Sequence, residues 1–201
     1  MKKSRSAAGG RGEIVVYNSE RMTQTQKAAL LKAARTTVAA VVQGEAPPEL
    51  AVKMEGMEYG GMFVTLRQGG RLRGCMGSFS PEPDMLATLQ QVAVSASHDP
   101  RFSGRPITPA DLPGIEIEIS VLSKPEETDD PLSLELGRHG LLIENPAGRG
   151  CFLPQVATEF GWSKEQFLAR CCSEKAGLPA EAWKQPETRV LLFTVELISE
   201  R

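Results

Sequence analysis

Residues Ile115 to Leu122 read IEIEISVL, and this alternation constrains the chain more than any other feature. Side chains of a strand point to opposite faces in turn. Ile115, Ile117, Ile119 and Val121 therefore share one face, and Glu116, Glu118 and Ser120 share the other. Two hairpins accompany this strand. MFVTLR pairs with RLRGCM across Gln68-Gly69-Gly70, and HGLLIE pairs with RGCFLPQ across Asn145–Gly148, each pair being strand-like runs around a glycine-containing turn. RVLLFTVELI near the end reads as one more strand.

Helical patterns lie between these runs. Thr23 and Gln26 have capping-box spacing, followed by an apolar stripe of Leu30, Leu31, Ala34, Val38, Val41 and Val42. Gly44 ends that helix, and Pro47-Pro48 prevent its continuation. SPEPDMLATLQQVAVSAS reads as a helix after Ser80, with Leu86, Leu89, Ala93 and Ala96 on one face and Pro100 enforcing its end. TPADL reads as one capped turn, with Thr108 as cap and Pro109 in the first helical position. KPEETDDPLSL is an acidic connector. Ser163 and Gln166 open a last helix that runs to about Lys175 and stops at Gly177. Strands and helices are interspersed, with hairpins among them. That indicates an α+β fold, a mixed or antiparallel sheet with flanking helices, rather than a βαβ repeat.

The chain has 201 residues, 41% of them hydrophobic, and a net charge of −2. That suits one globular unit with a sizeable core. Nucleic acid is not an expected partner, because phosphate neutralisation needs clustered Lys and Arg. The opening MKKSRSAAGGRG lacks the apolar stretch of a signal peptide, and no later run is long enough to span a membrane. A cytoplasmic protein with a flexible tail over residues 1–21 is expected, in which EIVVY is a short patch able to dock. The four cysteines, Cys75, Cys151, Cys171 and Cys172, form no C-x-x-C pair, and there are two histidines. Reduced thiols are expected, with no metal and no cofactor.

The chemistry concentrates in GGRLRGCMGSF. Strand alternation puts Arg71, Arg73 and Cys75 on one face and Leu72 and Met76 on the other. Cations beside a thiol favour thiolate. Gly74 and Gly77 permit a bulge or the close approach of a ligand to the backbone, and the helix after Ser80 offers free N–H groups to an anion. Cys75 is thus the candidate nucleophile and Arg71, Arg73, Gly74 and Gly77 candidate ligand contacts. The plainer alternative is a small buried thiol in a tight hairpin. Arg101, in DPRF, is a candidate anion clamp, or else half of a local ion pair at a helix stop. Glu118 is a candidate base with Ser120 beside it, unless both simply face water. His139, in GRHG, could serve Cys75 if the fold brings them together; otherwise it is a turn histidine. Gln155 and Glu159 are ligand contacts or a polar helix start. His98, at a helix end, reads as structural. Cys171 and Cys172 continue the rows of Phe167 and Leu168 and read as packing; Cys151 is given no role. The glycine-rich stretch lacks the G-K-[ST] of a phosphate loop, so nucleotide hydrolysis is not supported.

Taken in order, GMFVTLRQGGRLRGCMGSF, DPRF, IEISVLSKP, GRHGLLI, GCFLPQVATEFGW, FLARCCSEKAGLP and Trp183 resemble the AMMECR domain family. The resemblance covers about residues 22 to 198, one domain. It implies an α+β body containing both termini, a smaller subdomain and a cleft between them. It implies no settled activity. Bacterial and archaeal members are often associated with a Memo-like protein and a radical-SAM protein, which makes those two the expected partners. The basic tail and the extra thiol of Cys172 depart from the family pattern. Two functions are compatible with these features. One is an enzyme or modification-system component in which Cys75, beside Arg73, acts on or binds an anionic group in the cleft. The other is a non-catalytic module that recognises a ligand or protein through the same cleft.

Overall fold

A computed structural model describes residues 22–50, 54, 57–79 and 83–200. The expected tail at 1–21, its EIVVY patch and the segment from Ser80 to Glu82 lie outside the described residues. The helices are α1 (Gln24–Val42), α2 (Met85–Ser97), α3 (Pro154–Glu159) and α4 (Lys164–Arg170). The strands are β1 (Gly61–Gln68), β2 (Arg71–Ser78), β3 (Ile115–Leu122), β4 (Glu126–Glu127), β5 (Gly140–Asn145), β6 (Gly148–Phe152), β7 (Arg189–Phe193) and β8 (Val195–Ser199). They form two four-stranded sheets, ordered β2-β1-β3-β8 and β4-β7-β5-β6. Every pairing is antiparallel, so neither sheet is mixed.

The alternation of β3 works as expected. Ile115, Ile117, Ile119 and Val121 join Met62, Val64 and Leu66 in one core, which α1 and α2 cover. Each such side chain, fully buried, contributes about 1.5–3 kcal/mol. In α1 the Thr23 hydroxyl accepts from Gln26 N–H while the Gln26 side chain accepts from Thr23 N–H. Gly44, at φ +80°, turns the chain away after the last turn. The second helix starts later than Ser80. Its cap is Asp84, whose carboxylate accepts from Leu86 N–H and also from Met54 N–H. The N-terminal donors expected to attract an anion thus face the chain's own carboxylate.

The second sheet has its own core. Leu141, Ile143 and Val190 pack with Phe167, Leu168, Cys171 and Cys172. The Ser163 capping box opens α4 as expected, but the α-helix ends at Arg170, and Cys171–Lys175 continue it as one π-helical turn. Both vicinal thiols are buried there, as the packing reading requires. The acidic connector contributes β4, which pairs with β7.

RVLLFTVELI is two strands rather than one. β7 belongs to the second sheet and β8 to the first, with Thr194 between them. The other crossing, Ser123 to Pro125, runs beside it: Ser123 N–H donates to Thr194 O, and Thr194 N–H donates to Ser123 Oγ, both at 3.0 Å. The second sheet is thus inserted between β3 and β8 of the first. A third apolar cluster joins the two, with Leu122, Leu142, Leu191 and Phe193 packed against Phe63, Phe79 and Cys151. Phe79 sits edge-on to both Phe63 and Phe193, at 5.6 and 5.7 Å between centroids.

Candidate functional site

Gly69 and Gly70, at φ +55° and +77°, form the two-residue turn between β1 and β2, a geometry that matches strand twist but needs positive φ at both positions. From this turn the register starts regularly, with Gln68 opposite Arg71 and Arg67 opposite Leu72. Then it slips. Leu66 faces Gly74, which leaves Arg73 as an extra, bulged residue. A one-residue slip exchanges the two faces of a strand. Beyond the bulge Met76 faces the α1/α2 core and Cys75 the opposite side, as the alternation requires. Before it the faces are exchanged: Leu72, not Arg71, lies on the face of Cys75.

Gly74 explains why the bulge sits there. A Cβ on Gly74 would lie 2.1 Å from Ala96 O at the end of α2, so the strand and helix backbones nearly touch. The bulge sends the Arg73 side chain away from Cys75. Its guanidinium donates to Gln68 Oε1, to Arg105 O and to Pro106 O at 3.1 Å, and it pairs with Asp111 at 3.6 Å. With 6% of its surface exposed, Arg73 is a buried cation held by these acceptors. Gly77 does not approach a ligand either: a Cβ there would strike the Phe63 ring.

The cation beside Cys75 is Arg101. Cys75 N–H donates to Asp99 Oδ2 at 3.0 Å, and Arg101 Nη2 donates to Cys75 O at 2.8 Å. β2 is an edge strand, and the DPRF turn satisfies the groups it presents outward at this residue. Asp99 is buried, at 4% exposure, and accepts from Arg101 N, Nε and Nη2. The Arg101 hydrogen bond is the main reason its carboxyl is held down to about 2, against the opposing effect of burial. The same bond raises the Arg101 pKa, with attraction to Asp99 and contact with the Cys75 side chain adding to it. Arg101 therefore forms the local ion pair that was the plainer reading, and it clamps a strand through that pair.

With its own N–H and C=O directed outward, Cys75 faces Thr65 in a non-hydrogen-bonded pair, where opposing side chains come closest. Thr65 Oγ1 donates to Cys75 Sγ at 3.3 Å. Glu118 lies opposite Thr65 on the next strand. Cys75, Thr65 and Glu118 thus form one row across β2, β1 and β3 on the face away from α1 and α2. Glu118 is half-buried, and its carboxylate makes no hydrogen bond or ion pair with any described residue. Ser120, one row along beside Phe63, is buried rather than facing water. Sequence reasoning missed Thr65: counted from the glycine turn without a bulge, it falls opposite Gly74.

The remaining candidates lie elsewhere. His139 Nδ1 accepts from Glu135 N–H within its own turn. Burial, aided by Arg138, pushes its pKa down. It makes no hydrogen bond to Cys75. Gln155 sits in the first turn of α3, where its carbonyl accepts from Thr158 Oγ1. His98 caps α2 with Nδ1 3.2 Å from Val94 O. Cys151 joins the cluster between the sheets. Burial pushes its thiol up to about 11. Burial raises the Cys171 and Cys172 thiols too. Among the described residues no three His, Cys, Asp or Glu side chains gather as a metal site.

Arg71 and Arg73 line a different feature, a pocket of about 490 Å³ at the turn end of the β1–β2 hairpin. Arg105, Asp111 and Phe102 complete its wall. The Phe102 ring also lies under Arg101, 5.8 Å from the guanidinium carbon. The structure thus divides the expected constellation into a thiol row and a basic pocket, with DPRF between them.

Comparison with known proteins agrees with this architecture. A Methanothermobacter thermautotrophicus protein is 43% identical over 147 residues, covering 70% of this chain and 75% of its own. A Thermococcus kodakarensis protein is 40% identical over 167 residues, covering 78% of this chain and 77% of its own. The crystal structure of an uncharacterised Pyrococcus horikoshii protein superposes with a TM-score of 0.73 at 33% identity, over 84% of this chain and 88% of that one. The AMMECR1 family model matches residues 31–198, from within α1 to β8. Two antiparallel sheets, the bulged hairpin and the DPRF clamp are therefore the form that an AMMECR1 sequence takes here, and the chain belongs to the AMMECR1 family.

Proposed function

We propose that this protein is an enzyme, or the reactive component of a modification system, in which Cys75 attacks an electrophilic carbon of an anionic small molecule or protein group bound in a cleft beside sheet β2-β1-β3-β8. The observation that carries this reading is the row itself. The Cys75 thiol is half-buried, accepts a hydrogen bond from Thr65 and has its backbone pinned on both sides by Asp99 and Arg101. A nucleophile needs such fixed placement. Arg101 supplies positive charge beside the thiolate. Glu118, opposite Thr65 in the same row, is the carboxylate that takes up and returns a proton once the Thr65 hydroxyl turns from Cys75 Sγ to donate toward it and accept from the thiol. For a carbonyl substrate the thiol proton passes to Glu118, the S–C bond forms as the C=O π pair moves to oxygen, and the proton returns to that oxygen. The family resemblance supports a Memo-like protein and a radical-SAM protein as partners. Four free cysteines support a cytoplasmic setting, where thiols remain reduced.

Native-state labelling with iodoacetamide near neutral pH tests the proposal. The other three thiols have raised pKa values, so rapid labelling reports on Cys75. The expected result is one fast thiol, absent in Cys75→Ser, slowed severalfold by Arg101→Gln and unchanged by Arg73→Gln. A second reading is a non-catalytic binding module, and it draws on the neutralisation of Arg101 by Asp99. An inert Cys75 in the native wild type would overturn the enzyme and leave the binding module.

A further inference from the structure

The pocket at the hairpin turn lies apart from the thiol row, and its charge is not balanced. Arg71 and Arg105 both line it. Neither guanidinium makes a hydrogen bond or ion pair with any described residue. The acidic side chain in the wall, Asp111, is already engaged: it accepts from Thr108 N–H and Oγ1 and from Gln68 Nε2, and it pairs with Arg73. Arg73 forms the floor, fixed by its acceptors, yet its buried Nε has no partner, and an orphaned buried donor is uncommon in a folded protein. Phe102 and Leu72 give the wall an apolar side. Two free cations lining one pocket on a chain of net charge −2 are a local concentration of positive potential, not a reflection of overall charge. The volume, about 490 Å³, is that of a small-molecule site.

We infer that this pocket binds the oxyanion of a small organic molecule, a phosphate ester or a carboxylate, between Arg71 and Arg105, with the body of the molecule against Phe102 and Leu72. Arginine suits this task because its planar fork matches both oxyanions. Arg73 and Asp111 form a neutral, rigid base, so the two free arginines carry the net charge that a ligand meets. The inference does not depend on thiol chemistry. Cys75→Ser is expected to bind as the wild type does.

Calorimetric titration of the full chain at low salt with phenyl phosphate, benzoate and inorganic phosphate tests it. Saturable binding is expected for at least one of the two aromatic probes, more tightly than for inorganic phosphate, because the latter leaves Phe102 and Leu72 uncovered. Tighter phenyl phosphate identifies a phosphate-ester site, and tighter benzoate a carboxylate site. Arg71→Ala and Arg105→Ala should each weaken binding about tenfold or more, the usual loss for one charge-assisted hydrogen bond. The double variant should abolish it, and Arg138→Ala should leave it unchanged. No saturable binding of any probe, or equal binding by the double variant, would overturn the inference. Its failure would leave the Cys75 labelling result untouched, so the two proposals are tested separately.

Discussion

Asp99 and Gly74 show how single residues set the site. Asp99 receives both a strand N–H and the Arg101 fork. Its folded pKa, about 2, lies below the ordinary 3.8. A depressed carboxylate stabilises the fold above its unfolded pKa and loses that contribution as pH falls through the folded value. The shift corresponds to about 2 kcal/mol, present in full above about pH 5 and lost between the two values. Asp99→Asn should therefore lower stability by about that amount at pH 7 and flatten the acid limb of stability against pH, measured by urea unfolding. An unchanged acid limb would show that Asp99 does not hold the turn. Gly74 is a stricter constraint, since the atom its Cβ would meet is the backbone Ala96 O. Gly74→Ala should cost about 3 kcal/mol or displace α2. A neutral effect on the thermal midpoint would contradict the close approach.

At the scale of elements, helix boundaries follow local chemistry. The Ser163 hydroxyl accepts from Gln166 N–H and the Gln166 side chain answers from the other direction. Ser163→Ala should cost about 1 kcal/mol, read as a lower urea midpoint with an unchanged slope. Strand β2 is different. Its bulge at Arg73 is set by the helix that crosses it and by the acceptors that Gln68, Arg105, Pro106 and Asp111 offer one side chain. None of these is local in sequence except Gln68. The second arginine of RLRGC therefore went to the pocket instead of the thiol, and Arg101, 26 residues beyond Cys75, took its place.

At the scale of the molecule, two cores are coupled by one small cluster. Phe193, buried between the sheets, touches Phe79 and lies over Gly140. Phe193→Ala should cost about 3–5 kcal/mol and loosen the coupling. Both tryptophans, Trp162 and Trp183, pack in the second core, whereas α1 and α2 belong to the first. Tryptophan fluorescence and helical circular dichroism should therefore give coincident unfolding curves for the wild type and separate ones for Phe193→Ala. Coincident curves in the variant would mean that the cluster does not join the two halves.

The sequence by itself determined the caps of α1 and α4, the β1–β2 and β5–β6 hairpins, the inward face of β3 and the burial of Cys171 and Cys172. Each is a matter of residues within a turn or two of one another, where spacing fixes geometry. It also placed Cys75 on the side of the strand away from the helices. Tertiary structure decided which cation stands beside that thiol, that Thr65 donates to it, and that RVLLFTVELI divides at Thr194 between two sheets. Alternation continues through a strand that changes sheets, so local pattern carries no sign of the change. A bulge shifts every pairing beyond it by one residue, and its position depended on the end of a helix arriving from elsewhere in the chain.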